Sequence, residues 1–89
     1  MPLPDLETRV AQLVETIILT SVESDTLLIE SGLVDSLSAV DVTLAVEREF
    51  GVKIPPSEID VHLESVHALA QYVALQRQRQ AGPGANHAI

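Results

Sequence analysis

The sequence predicts an all-α fold, a small bundle of three longer helices and one short one. Two observations predict it. Apolar residues recur at intervals of three and four in three separate stretches, the spacing that lines one face of a helix. Between those stretches stand turn formers, and no run alternates apolar and polar residues as a half-buried strand would. The 89 residues suffice for one small domain, with a thin core and a narrow margin of stability. Its bounds are read as residues 1–77, followed by a tail, residues 78–89, whose Ala81, Gly82, Pro83 and Gly84 carry no packing pattern and are expected to be disordered.

The first helix is expected from about Asp5 to Leu19. Leu6, Val10, Leu13, Val14 and Ile17 form its apolar stripe, and Pro4 and Asp5 supply the start signal. Thr20 to Asp35 is a long connection for so small a domain. Its Leu27, Leu28, Ile29, Leu33 and Val34 are apolar enough that the loop should pack down onto the bundle, and loops of this length in compact domains often carry function.

The second helix runs from Ser36 to Phe50, with Gly51 ending it. It carries two apolar stripes. Ala39, Val42, Val46 and Phe50 form one, and Leu37, Val40 and Leu44 form another displaced around the helix. Periodicity alone permits both to be buried. It equally permits one to be core and the other a contact patch rimmed by Asp41 and Glu47. Pro55 and Pro56 then forbid continuation. A short helical turn is expected at Ser57 to Val61, with Ile54, Ile59, Val61 and Leu63 as its apolar residues. A last helix begins after Ser65, a good N-cap, and turns Val66, Leu69, Ala70 and Val73 inward until about Arg77.

The stretch around which the chain is organised is Gly32-Leu33-Val34-Asp35-Ser36-Leu37. Gly32 frees the backbone for a tight exit from the loop, and Asp35 is the expected N-cap, which leaves Ser36 at the first helical position. There its hydroxyl sits at the helix mouth, where unpaired N–H groups and the positive end of the macrodipole favour an attached anion such as a phosphodiester. Asp-Ser at a helix start is also a common capping arrangement, so the tripeptide alone is not specific.

Composition narrows the chemistry. Five Lys and Arg against thirteen Asp and Glu give a formal net charge of −8, which repels phosphate backbones and anionic membranes, so neither nucleic acid nor a membrane is an expected partner. With no cysteine there is no disulfide, thiolate nucleophile or cysteine-ligated metal. His62 and His67, five apart, are not spaced as a metal pair on a helix face and read as exposed surface residues. Ser36 lies outside a Gly-x-Ser-x-Gly elbow, and His62, His67 and His87 mark no triad. No catalytic residue and no metal ligand is therefore assigned, and the chain does not read as an enzyme. The N-terminus lacks a basic region followed by an apolar run, and no stretch approaches the length of a membrane span, so a cytoplasmic protein is expected.

These residues together resemble a family. Glu30-Ser31-Gly32-Leu33-Val34-Asp35-Ser36-Leu37, then Glu47-Arg48-Glu49-Phe50-Gly51-Val52-Lys53-Ile54 with Pro55, then Ser65-Val66 with Ala70, Tyr72 and Val73 resemble the acyl carrier proteins. That resemblance implies the family's four-helix bundle. It implies that Ser36 receives a phosphopantetheine arm from coenzyme A, through a phosphopantetheinyl transferase that supplies magnesium, with Asp35 capping the helix beside the attachment site. It implies that the arm brings the thiol the chain lacks and holds an acyl or aminoacyl cargo as a thioester. It also implies docking of partners on Leu37, Val40, Asp41, Leu44 and Glu47: the transferase, an acyl- or aminoacyl-activating ligase, and downstream acyl-transfer enzymes, the carrier itself being monomeric. Ser38 stands where fatty-acid carriers commonly have an acid and Arg48 interrupts the run of acids at the end of the second helix, and Ser31 to Leu37 is similar to discrete carriers served by adenylating ligases, including aminoacyl and D-alanyl carriers and those of specialised pathways. The alternative from a different class is an unmodified helical interaction module that uses the same patch on the second helix.

Overall fold

The computed structural model describes residues 5–80, and the expected tail beyond Gln80 lies outside them. Among the described residues there are four α-helices and no strand. These are α1 (Leu6–Ile18), α2 (Ser36–Phe50), α3 (Ile59–His62) and α4 (Val66–Gln80), with a 3-10 turn, Pro56–Glu58, leading into α3. This is the small four-helix bundle that the resemblance implies.

Each long helix starts where a side chain satisfies its orphan amides. Asp5 caps α1 by accepting from the Thr8 N–H at 2.8 Å, and Ser65 Oγ accepts from the Ala68 N–H at 3.1 Å at the head of α4. The ends differ in character. Gly51 closes α2 in the left-handed region at φ 71°, where its N–H donates to the Glu47 carbonyl, as a glycine in that place permits at no steric cost. At the end of α1 the same conformation falls on Leu19, at φ 59°, with its N–H donating to the Glu15 carbonyl. No glycine marks that end, which is followed instead by Thr20 and Ser21. The fourth helix runs on to Gln80, past the expected end near Arg77, because Gln78, Arg79 and Gln80 are good helix formers even where no apolar residue marks the pattern.

The core is the expected one in its helices. Val10 and Val14 of α1, the Ala39-Val42-Val46-Phe50 stripe of α2 and Val66, Leu69, Ala70 and Val73 of α4 are all buried, joined by Leu28, Val34, Val52, Ile54 and Leu63 from the connections. Branched aliphatic side chains of this kind each contribute about 1.5–3 kcal/mol when taken wholly out of water.

The long loop packs down only in part. Leu28 and Val34 are fully buried, Leu33 is half-buried, and Leu27 and Ile29 remain exposed. Backbone pairing explains which residues point in. The Leu28 N–H donates to the Glu64 carbonyl and the Val34 N–H to the Leu28 carbonyl, so the chain is pinned at those two points and its intervening turn faces out. Val61, expected among the apolar packing residues of the short helix, is likewise exposed, since a single helical turn has room to bury only one side. His62 is not the exposed residue its sequence context suggests. Its side chain is 19% exposed, its ring stacks on Tyr72 with centroids 3.7 Å apart, and Nε2 pairs with Glu58 Oε1 at 2.9 Å. Tyr72 in turn donates its hydroxyl to the Lys53 carbonyl at 3.0 Å, which fastens α3 and the extended segment before it to α4.

Candidate functional site

The loop before α2 delivers the chain to the helix mouth through three linked features. Gly32 takes φ 85°, a conformation costly for any residue with a Cβ. Ser31 turns its hydroxyl inward to donate to the Leu28 carbonyl at 3.2 Å, and Val34 is buried beneath. Asp35 follows in an extended conformation, and its Oδ1 accepts from the Ser38 N–H at 2.9 Å. That bond, with a weaker contribution from the Leu37 amide, holds the Asp35 carboxyl below its ordinary value of 3.8.

Ser36 is then the first residue of α2, exposed, and its hydroxyl makes no hydrogen bond among the described residues. Asp35 performs the capping, so the serine oxygen is left available. The serines at the two other structured junctions are committed. Ser31 is bonded to the loop, and Ser65 is buried at the head of α4.

Beside Ser36 lies an open cleft of about 610 Å³. Its walls are the loop, the first turn of α2 and the α3 region, with Val34, Ala39, Val40 and Ile59 among the apolar linings and Asp35 and Asp60 among the polar ones. Ile29, Pro56, Ile59 and Asp60 were not reachable from local pattern, because the turn that carries them is brought to the α2 mouth by tertiary contacts. The one signal in the sequence is Ile29 itself, an apolar loop residue outside any helical stripe, which is expected to pack down and is instead exposed.

The two stripes of α2 separate cleanly. While Ala39, Val42, Val46 and Phe50 are buried, Leu37 is 79% exposed, Val40 47% and Leu44 51%. Asp41 and Glu47 are exposed beside them. Of the readings that periodicity leaves open, an apolar patch with an acidic rim is the one the fold adopts, and it runs along α2 from the residue next to Ser36.

The remaining chemistry is sparse. No group of three or more His, Cys, Asp or Glu is placed to hold a metal among the described residues. No helix among them is long and apolar enough to cross a membrane. His67 lies 3.4 Å from Glu7 across the α1 and α4 starts, and neither it nor His62 lines the cleft beside Ser36.

A family model described as the phosphopantetheine attachment site matches residues 8–73, well over half of the chain. No curated protein and no solved structure matches it.

Proposed function

The chain belongs to the phosphopantetheine-attachment family, whose members carry that prosthetic group, and from that premise we propose that it is a carrier protein with the arm attached at Ser36. The observation that carries the reading is the division of labour between two adjacent residues. Asp35 satisfies the helix mouth, so Ser36 is exposed at the first helical position with an uncommitted hydroxyl. A serine that served as the cap would have its oxygen occupied.

The group fits the residues present. The N-terminus of α2 places backbone N–H groups and the positive end of the helix dipole beside Ser36, which favours a phosphodiester there. The open cleft leaves the serine accessible from the side of α3 as well as from solvent. When attached, the arm supplies a thiol on which cargo is held as a thioester, chemistry that a cysteine-free chain cannot supply itself. The protein's own share is to hold Ser36 rigidly at a helix start, keep it accessible, and present an address. It acts as a carried substrate and not as a catalyst.

The address is the exposed face of α2. Leu37, Val40 and Leu44 offer a desolvatable apolar centre, and Asp41 and Glu47 an acidic rim that would steer a basic partner surface. The partners are a phosphopantetheinyl transferase, which uses coenzyme A, an acyl- or aminoacyl-activating ligase, and the enzymes that consume the cargo. Ser38 in the first turn and Arg48 in the last both thin the acidic strip, which favours a carrier served by an adenylating ligase over a general fatty-acid carrier. We assign the protein to the cytoplasm, as a monomer. Transfer of phosphopantetheine from coenzyme A, read by intact mass on the parent and on Ser36→Ala, tests the reading.

A further inference from the structure

A second cleft, of about 400 Å³, opens between α1 and α2 away from Ser36, and the carrier reading makes no use of it. Leu13, Ile17 and Phe50 provide its apolar lining, and Arg9, Arg48 and Glu49 are among its polar residues. The Arg9 guanidinium lies 4.9 Å from the centroid of the Phe50 ring, and that of Arg77, from α4, lies 5.8 Å from it. The chain has only five Lys and Arg against thirteen Asp and Glu. Three of those five cations nevertheless gather at this one place, where Glu49 is the one acid among the cleft's lining residues. The Arg9–Glu49 pair is long, 3.9 Å, and both side chains are substantially exposed, so it neutralises little. Arg48 is exposed and has no hydrogen bond or ion pair among the described residues.

We infer that this cationic cleft is a docking surface for an acidic segment of a partner protein that inserts an apolar side chain against Leu13, Ile17 and Phe50. Charge selects the occupant. A nucleic acid or an anionic membrane would confront the whole molecule, whose net charge is −8, whereas an acidic segment can set a few carboxylates within the roughly 10 Å over which these local cations act. A small anion alone would find an open site exposed to solvent, in which a single ion pair is worth about 1 kcal/mol. A peptide adds apolar burial at about 25 cal/mol per Å². The expected contact is small and transient in kind.

Its position gives the contact a use. Phe50 lies fourteen residues along α2 from Ser36, about 21 Å at 1.5 Å per residue. A partner held here borders the exposed face of α2 only at Arg48, one turn beyond Leu44, and leaves Ser36 and Leu37 uncovered, so it raises the local concentration of the carrier's working end without blocking it. The inference does not depend on Ser36 being modified.

The test is an NMR titration of the isotopically labelled full chain with a synthetic peptide of roughly twelve residues, alternating Glu with Leu, and with its Gln-for-Glu counterpart. The acidic peptide should shift the amides of Leu13, Ile17, Ala45 and Phe50 and leave that of Ser36 in place. Arg48→Glu should weaken this binding by about fivefold or more and Arg48→Gln by less, as expected for reversing or removing one charge at an interface. Lys53→Glu makes the same charge change at an exposed residue that does not line the cleft, and should leave binding nearly unchanged. Absence of shifts at the cleft, equal binding of the Gln peptide, or equal weakening by Lys53→Glu would each overturn the inference.

Discussion

The carboxylate of Asp35 accepts from the backbone N–H of Ser38 at 2.9 Å, and by doing so it relieves Ser36, which lies between them, of any part in closing the helix. A capping bond and a reactive position are thus set side by side in sequence without competing for the same oxygen. The carboxyl of Asp5 plays the same part for α1, accepting from the Thr8 N–H, and it too is held below its ordinary value, mainly by that bond.

These two caps make acid stability testable. A carboxyl whose folded-state value is lowered contributes stability above its unfolded value, and that contribution is lost as pH falls through the carboxylate range, around pH 4 and below. The melting temperature of the parent should therefore fall on acidification. In the double variant Asp5→Asn, Asp35→Asn the fall should be shallower, because Asn caps well but does not titrate there. Thermal melts between pH 7 and about pH 3, monitored by circular dichroism, measure both slopes.

Leu19 sits in the left-handed region and is 86% exposed, so it bears a backbone cost with little burial in return. Leu19→Asn should stabilise the protein by about 0.5–1 kcal/mol, since Asn tolerates this conformation without the chain entropy that glycine adds to the unfolded state. Urea denaturation with an unchanged slope and a higher midpoint is the expected result.

Core and patch should respond oppositely to the same truncation. Leu69→Ala, at a fully buried position, should cost about 2–5 kcal/mol, a large part of what so small a domain has. By contrast, Leu37→Ala should change stability by less than about 0.5 kcal/mol. Loading by a phosphopantetheinyl transferase should then fall roughly tenfold in kcat/KM, the loss of about 1.4 kcal/mol of transition-state contact. Urea melts and transfer kinetics on the two variants separate the roles.

What was legible in the sequence was whatever depends on neighbours in the chain. The second helix begins at Ser36 and ends at Phe50 as read, because Asp35 and Gly51 are local signals. The Ala39-Val42-Val46-Phe50 and Val66-Leu69-Ala70-Val73 stripes are likewise buried as periodicity requires. What escaped depends on distant partners. Leu27 and Ile29 are as apolar as Leu28, and only the pairing of Leu28 with Glu64 decides that Leu28 alone of the three points inward. His62 is drawn under cover by Tyr72, ten positions on. The wall that Ile59 and Asp60 give to the cleft at Ser36 exists only because the segment after α2 folds back to the start of that helix.

The most direct measurement is intact mass of the parent and of Ser36→Ala, each folded and initially unmodified, before and after incubation with coenzyme A and a permissive phosphopantetheinyl transferase. Cooperative melts should first place the two within about 0.5 kcal/mol of each other, since Asp35 and not Ser36 caps the helix. The account predicts the gain of one phosphopantetheine in the parent and none in the variant. A gain in Ser36→Ala as well would contradict the assignment of the attachment site, and no gain in either would contradict the carrier itself and favour an unmodified interaction module.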